Sequence, residues 1–257
     1  MDWDVAISAF LLLSAPFVGS FLDLMIDRWP RGEPFVRGRS YCTCCGQTLE
    51  WRDLIPVASW IASRGRCRHC GAPIPIRHPV VETSALAIAI WSEAVLQGPL
   101  SWIGTLFGWA LLAIALADIR WLWLPDRLTL PLCAGGIATV SAVEPSILIH
   151  HLVGVAAGFA VLAAAAWLYR RLRNREGLGR GDPKLLGAIG AWVGWQGLGS
   201  VLLYAALSGL LLVLIQRATG RTVQRTAPLP FGSYLCLGAW LVWLYGPIYM
   251  EWDGFAG

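Results

Sequence analysis

Two carboxylates and four thiols are the side chains of this sequence whose types and spacing could do chemistry. Asp118 and Asp182 stand 64 residues apart, each at the edge of an apolar run. A pair of carboxylates sharing one proton can hydrolyse an amide without a metal or a nucleophilic side chain. The ionised member takes a proton from water while the protonated member hydrogen-bonds the scissile carbonyl. Gly179-Arg180-Gly181-Asp182 adds two glycines, which would let a substrate backbone approach the acid without a Cβ in the way. Asp182 precedes Pro183 and so also reads as a helix N-cap with proline at the first helical position. Capping favours the ionised form, which leaves Asp118 as the candidate to carry a shared proton. Asp126, after Pro125, has the same reading as a cap and is equally a partner for Asp182; spacing does not choose between Asp118 and Asp126. Lys184, the sole lysine, reads as an anchor at a membrane interface beside that site.

Three further acids lie at membrane depth, where an ionisable group is costly. Asp23 and Glu82 are expected near the same face as the pair and could line its site, whereas Glu93 is expected to snorkel to the opposite interface. The four histidines are His69, His78, His150 and His151. None falls where a Ser-His-Asp triad or a His-Glu-x-x-His zinc site would need it.

The thiols form two CxxC pairs, Cys42 with Cys45 and Cys67 with Cys70, separated by 21 residues. Thiolates at i and i+3 on a tight knuckle converge on one ion, and two knuckles complete a tetrahedral site. Structural zinc is the expected occupant. It would fold the loop without doing chemistry, because four protein thiolates leave no open position for water. Cys44 could replace Cys45, and His69 lies inside the second knuckle, but both read more simply as neighbours of the site. Cys133 and Cys236 fall in apolar runs and read as small packing residues.

The elements that position these groups follow from composition. Of 257 residues 56% are apolar and 14% charged, where a water-soluble domain has about 25% charged residues. Runs long enough to cross a bilayer recur along the whole chain, so an all-α, polytopic membrane bundle of about eight transmembrane helices is expected, with a small cytoplasmic zinc-binding loop domain. The spans are placed near Val5–Ile26, Pro79–Leu96, Ser101–Ala117, Leu128–Val143, Ile149–Tyr169, Leu185–Gln196, Leu198–Ile215 and Phe231–Met250. The sixth and seventh are split at Gln196-Gly197. This divides the chain into a first transmembrane helix (1–27), the cysteine loop (28–78) and a seven-helix membrane peptidase domain (79–257).

All 20 basic residues fall in alternate loops, while Asp2, Asp4, Glu144, Glu251 and Asp253 lie in the others or at the termini. The positive-inside rule then puts the basic loops, the cysteines and the acid pair at the cytoplasmic face, with both termini periplasmic. A net charge of +4 shared among four loops reports topology and speaks against a nucleic-acid partner. Nothing in the sequence reports the oligomeric state.

In order along the chain, Gly19-Ser20-Phe21-Leu22, the double CxxC, Trp51-Arg52-Asp53-Leu54-Ile55-Pro56, Pro79-Val80-Val81-Glu82, Asp118 with Leu124-Pro125-Asp126-Arg127-Leu128-Thr129, Gly179-Arg180-Gly181-Asp182-Pro183-Lys184-Leu185-Leu186 and Pro230-Phe231-Gly232 resemble the type IV prepilin peptidases. The resemblance covers nearly the whole chain. It implies that Asp118 and Asp182 are the catalytic pair, with Gly179, Gly181, Asp126 and Lys184 close to substrate. It implies prepilins or type II secretion pseudopilins as substrates, cut after a glycine at the cytoplasmic face of the bacterial inner membrane. It also implies methylation of the new N-terminal amine by S-adenosylmethionine, for which the residues themselves show no donor site. Two departures stand out: Asp23 replaces the asparagine that follows GSFL in the family, and Ser233 replaces the last proline of PFGP. A transporter using Asp118 and Asp182 as a proton relay is the competing reading; relay acids are expected near the bilayer midplane, and no inverted repeat is evident.

Overall fold

A computed structural model describes residues 3–35, 38–175, 177–219 and 229–248. Arg221 and Arg225 of the fourth basic loop, Asp2, and the last residues of the eighth expected span lie outside the described residues. The regular elements are helices: α1 (Trp3–Arg28), α2 (Ala58–Ala62), α3 (Arg77–Val95), α4 (Pro99–Trp121), α5 (Asp126–Val143), α6 (Leu148–Arg173), α7 (Asp182–Ala218) and α8 (Phe231–Tyr245). No strand occurs among the described residues, only two isolated antiparallel bridges in the cysteine loop. An all-helical membrane protein is the outcome that a lipid solvent enforces, because a helix satisfies its own backbone groups.

α1, α4, α6 and α7 are long and apolar enough to cross a membrane. No more than 22% of the residues in the apolar stretches of α1, α6 and α7 are buried. Phe10, Leu13 and Phe17 on α1 and Leu210, Leu211 and Leu214 on α7 point outward. Such faces belong against acyl chains. α3, α5 and α8 are shorter, and all of them coincide with expected spans.

Three boundaries differ from expectation. α4 runs a turn past Ala117, so Asp118 sits inside a helix rather than at its end. α6 continues to Arg173, where Arg170, Arg171 and Arg173 complement the negative end of the helix. The sixth and seventh spans form one run, α7, broken at Gly194 (φ 66°, ψ 176°) rather than at Gln196-Gly197. Only glycine adopts that conformation without strain.

The chain divides into two compact units, Met1–Trp109 and Ala110–Gly257. In the first, α1 packs on α3 around Gly19, where a Cβ would lie 2.7 Å from the Glu82 Cα. A polar seam closes the far end: Glu93 accepts from Ser8 Oγ at 3.0 Å and from Ser101 Oγ at 2.9 Å, and Trp102 Nε1 donates to Ser8 Oγ at 3.1 Å. Glu93 therefore ties helices together instead of snorkelling to an interface.

The second unit is held by helices in backbone contact. A Cβ at Gly190 would lie 2.2 Å from the Gly154 carbonyl oxygen, and one at Gly158 2.5 Å from that of Leu186, so α6 and α7 meet without side chains between them. Gly136 admits α7 against α5 in the same way, and Gly238 admits α8. Beside the Gly194 break, His151 is 2% exposed and its Nδ1 donates to the Ala191 carbonyl at 3.1 Å. This histidine, which falls in no catalytic motif, is the polar partner that a backbone irregularity needs in an apolar setting.

Candidate active site and metal-ligand cluster

Asp118 and Asp182 are 5% and 4% exposed, the two buried acids among the described residues of the second unit. Asp118 projects from the last turns of α4. Its Oδ2 accepts from the backbone N–H of Ser233, in the first turn of α8, at 2.8 Å. First-turn amides have no partner within their own helix, so the start of α8 is a natural donor to an acid. A proline at position 233, as in the PFGP pattern that the sequence resembles, would have no such N–H to give. Asp182 is the first residue of α7, and its Oδ2 accepts from the Gly179 N–H at 3.0 Å.

Neither Asp182 nor Asp126 is the helix cap that its neighbouring proline suggests. The caps are Gly181 and Pro125, and neither helix start has a capping side chain. The Gly179–Asp182 turn folds back on itself, so the carboxylate meets the amide upstream of it rather than those downstream. The capping role that the sequence gives Asp182 is thereby removed, and its carboxylate accepts from the Gly179 amide instead.

Leu124, in the turn between α4 and α5, packs beside a glycine next to each acid. A Cβ on Gly181, next to Asp182, would lie 2.6 Å from Leu124 Cβ. A Cβ on Gly232 would lie 3.0 Å from Leu124 Cδ1 and 3.0 Å from Asp118 Oδ2. One leucine therefore fills the space beside both acids. Internal packing thus explains two glycines of the motifs. Gly179 has a related reason, since its Cβ would lie 3.0 Å from the Asp182 carboxylate itself. Ser233, Gly232 and Leu124 are the site residues that spacing does not reveal; their signals are the Leu124-Pro125-Asp126 and Pro230-Phe231-Gly232-Ser233 segments that carry the resemblance.

Asp126 is engaged elsewhere. Lys184 Nζ donates to its two oxygens at 2.8 and 2.9 Å, and both side chains are about half exposed. The acid and the lysine form an open ion pair on the solvent side of the α5 and α7 starts.

The four cysteines converge as their spacing requires. One sulfur from each of Cys42, Cys45, Cys67 and Cys70 lies within 4.8 Å of the others, a set that could hold a metal ion. Cys44 and His69 stay outside it. The two knuckles are built alike. Gly46 N donates to Cys42 O and Gly71 N to Cys67 O, both at 2.9 Å, with both glycines at positive φ. The bridges Tyr41 to Thr48 and Arg66 to Pro73 close them. Backbone amides of Cys45 and Cys44 face the Cys42 sulfur and hold its pKa down at about 6; those of Cys70 and His69 do the same for Cys67, which is also lowered. Thiolates are the form that binds metal. Trp60 Nε1 to Ile74 O (3.1 Å) and the Arg68–Asp53 ion pair (3.0 Å) brace the segment between the knuckles.

Asp23 and Glu82 both belong to the first unit. Glu82 accepts the Val57 N–H at 2.7 Å, holding a residue with φ of 60°. Asp23, 2% exposed, contacts His78 Nδ1.

Residues 13–95 match the Bacterial Peptidase A24 N-terminal domain, and residues 105–214 match the Type IV leader peptidase family. A prepilin leader peptidase/N-methyltransferase of Burkholderia pseudomallei (strain 1026b) is 36% identical over 94% of this chain and 87% of its own. One of Aeromonas hydrophila is 37% identical over 95% and 92%, and one of Dickeya chrysanthemi 36% identical over 88% of each. No solved structure matches.

Proposed function

The chain belongs to the type IV leader peptidase family, and we propose that Asp118 and Asp182 act as one proteolytic pair that removes the leader of a prepilin or pseudopilin. The observation that carries this is the packing of Leu124 against both Gly181 and Gly232, which supports a shared site for acids 64 residues apart. In the reaction, water held between the carboxylates gives a proton to the ionised acid as its oxygen bonds to the scissile carbon. The protonated acid donates to the carbonyl oxygen, forming a gem-diol. Return of a proton to the amide nitrogen breaks the C–N bond and frees an α-amine. Lys184 and Asp126, exposed beside α7, would meet the polar leader, with Gly179 and Gly181 close to its backbone.

The basic loops would face the cytoplasm of a bacterial inner membrane, with the acid pair on that side. Zinc is the metal that suits four thiolates; Cys42, Cys45, Cys67 and Cys70 would hold it and so fold the loop. The freed amine would then be methylated by S-adenosylmethionine, which supplies an electrophilic methyl group when bound. A proton relay has no support in the family match.

Asp118→Asn and Asp182→Asn should each insert normally and lose at least about a thousandfold in leader cleavage, since neither can complete the proton exchange. Gel assay of a prepilin in membranes reads this. Cleavage retained in either variant removes that residue from the mechanism.

A further inference from the structure

Methyl transfer to an amine has a requirement that proteolysis does not: an α-ammonium must lose a proton before its lone pair can attack. Its ordinary pKa is about 8, so at neutral pH most of it is protonated. The first unit holds an acid and an imidazole in contact at a helix junction, and the acid is buried. Asp23, on α1, is 2% exposed, and His78, in the first turn of α3, places Nδ1 against its Oδ2 while keeping 36% of its side chain exposed. A carboxylate on Nδ1 fixes that nitrogen as the N–H and leaves the lone pair on Nε2; it also stabilises the imidazolium once Nε2 takes a proton.

The surrounding charges are otherwise occupied. On α1, Asp27 pairs with Arg31 at 3.3 Å and with Arg77 at 3.5 Å. On α3, Glu82 is held by the Val57 amide at 2.7 Å. Burial, then Arg77, push the His78 pKa below its ordinary value, against Glu82 and Asp27, while the Asp23 carboxylate on Nδ1 leaves Nε2 as the nitrogen that can take a proton. An asparagine at position 23, the family residue, could orient His78 but could not balance its charge.

Resting on the methyl-transfer half of the function above, we propose that His78 is the proton acceptor for N-methylation and that Asp23 is its positioning residue. His78 Nε2 takes a proton from the substrate ammonium. The freed nitrogen lone pair bonds to the methyl carbon, and the carbon–sulfur pair stays on sulfur, turning a sulfonium into a neutral thioether. The product leaves as a secondary ammonium, and the proton on His78 passes to water.

The test uses full-length protein in detergent, a peptide carrying the mature pilin N-terminus, and labelled S-adenosylmethionine. His78→Gln should lower methyl-transfer kcat about a hundredfold at pH 7. The loss should shrink toward wild type by pH 9, where the amine has shed its own proton. Asp23→Asn should cost about tenfold with the same pH trend. Leader cleavage and equilibrium-dialysis binding of S-adenosylmethionine should be unchanged in both. A loss that is the same at every pH, or that comes with lost cleavage, would make the pair a structural tie and overturn the proposal, as would undiminished methylation in His78→Gln. Wild-type protein that cleaves but never methylates would instead overturn the methyl-transfer reading on which the proposal rests.

Discussion

The four thiols and the two carboxylates are gathered by different means. Cys42 to Cys70 is a stretch of 29 residues, and each knuckle is shaped by its own amides and its own glycine. Gly46 and Gly71 have nothing within 4 Å of the position a Cβ would take; they serve a positive φ. Asp118 and Asp182 depend on contacts made by distant segments, and the glycines around them serve close approach. Gly190 and Gly158 sit on backbone, Gly181 and Gly232 on Leu124. A locally built cluster is fixed by what the chain can do over six residues, whereas the acid pair is fixed only when whole helices are in place.

That contrast can be broken most severely at Gly190. Gly190→Leu puts side-chain atoms into the Gly154 backbone, which cannot move aside as a side chain can, and the cost should exceed the 1–3 kcal/mol or so of ordinary overpacking. No folded protein should accumulate in membranes; normal levels by immunoblot would show that α6 and α7 can part. Next in size is removal of the metal. Chelation of purified, reduced protein should expose residues 38–76 to protease while residues 182–218 stay protected, since metal binding and folding of such a loop are one equilibrium. Protection of both segments after chelation would show that the loop folds without metal.

A smaller effect is expected of Leu124→Ala, which empties the space beside both acids but leaves them buried. Cleavage should fall about tenfold with KM little changed, because acids that can drift are less often aligned. An unchanged rate would mean that the helix starts alone position the pair. Smallest is Gly46→Ala: with open space around it, only the positive φ opposes the methyl, and the loss should be about 1 kcal/mol, read as a small shift in Tm.

The same contrast decides what could be read from the sequence. The cysteine cluster was legible in full, because i, i+3 spacing and a following glycine carry their geometry with them. Helix placement followed from apolar runs, since in lipid a long apolar run has one way to satisfy its backbone. The acids were legible as candidates, but the packing of Leu124 beside Gly181 and Gly232 was not, because a motif names the leucine without saying what it touches. The cap expected of Asp182 failed for a local reason: the turn bends back so that the carboxylate meets Gly179 N instead. The break in α7 came at Gly194, two residues before the expected turn, because His151 is there to take the Ala191 carbonyl, and such a partner is visible only in three dimensions. Glu93 was misjudged likewise, its partners Ser8 and Ser101 lying 85 and 8 residues away.

Leu124 has one consequence beyond packing. Because a single side chain abuts the glycine beside each acid, the two carboxylates are not independently adjustable. A displacement of the turn between α4 and α5 shifts both in step, and a change confined to α7 or α8 meets resistance from the other. The pair behaves as a keyed joint with its key outside the chemistry.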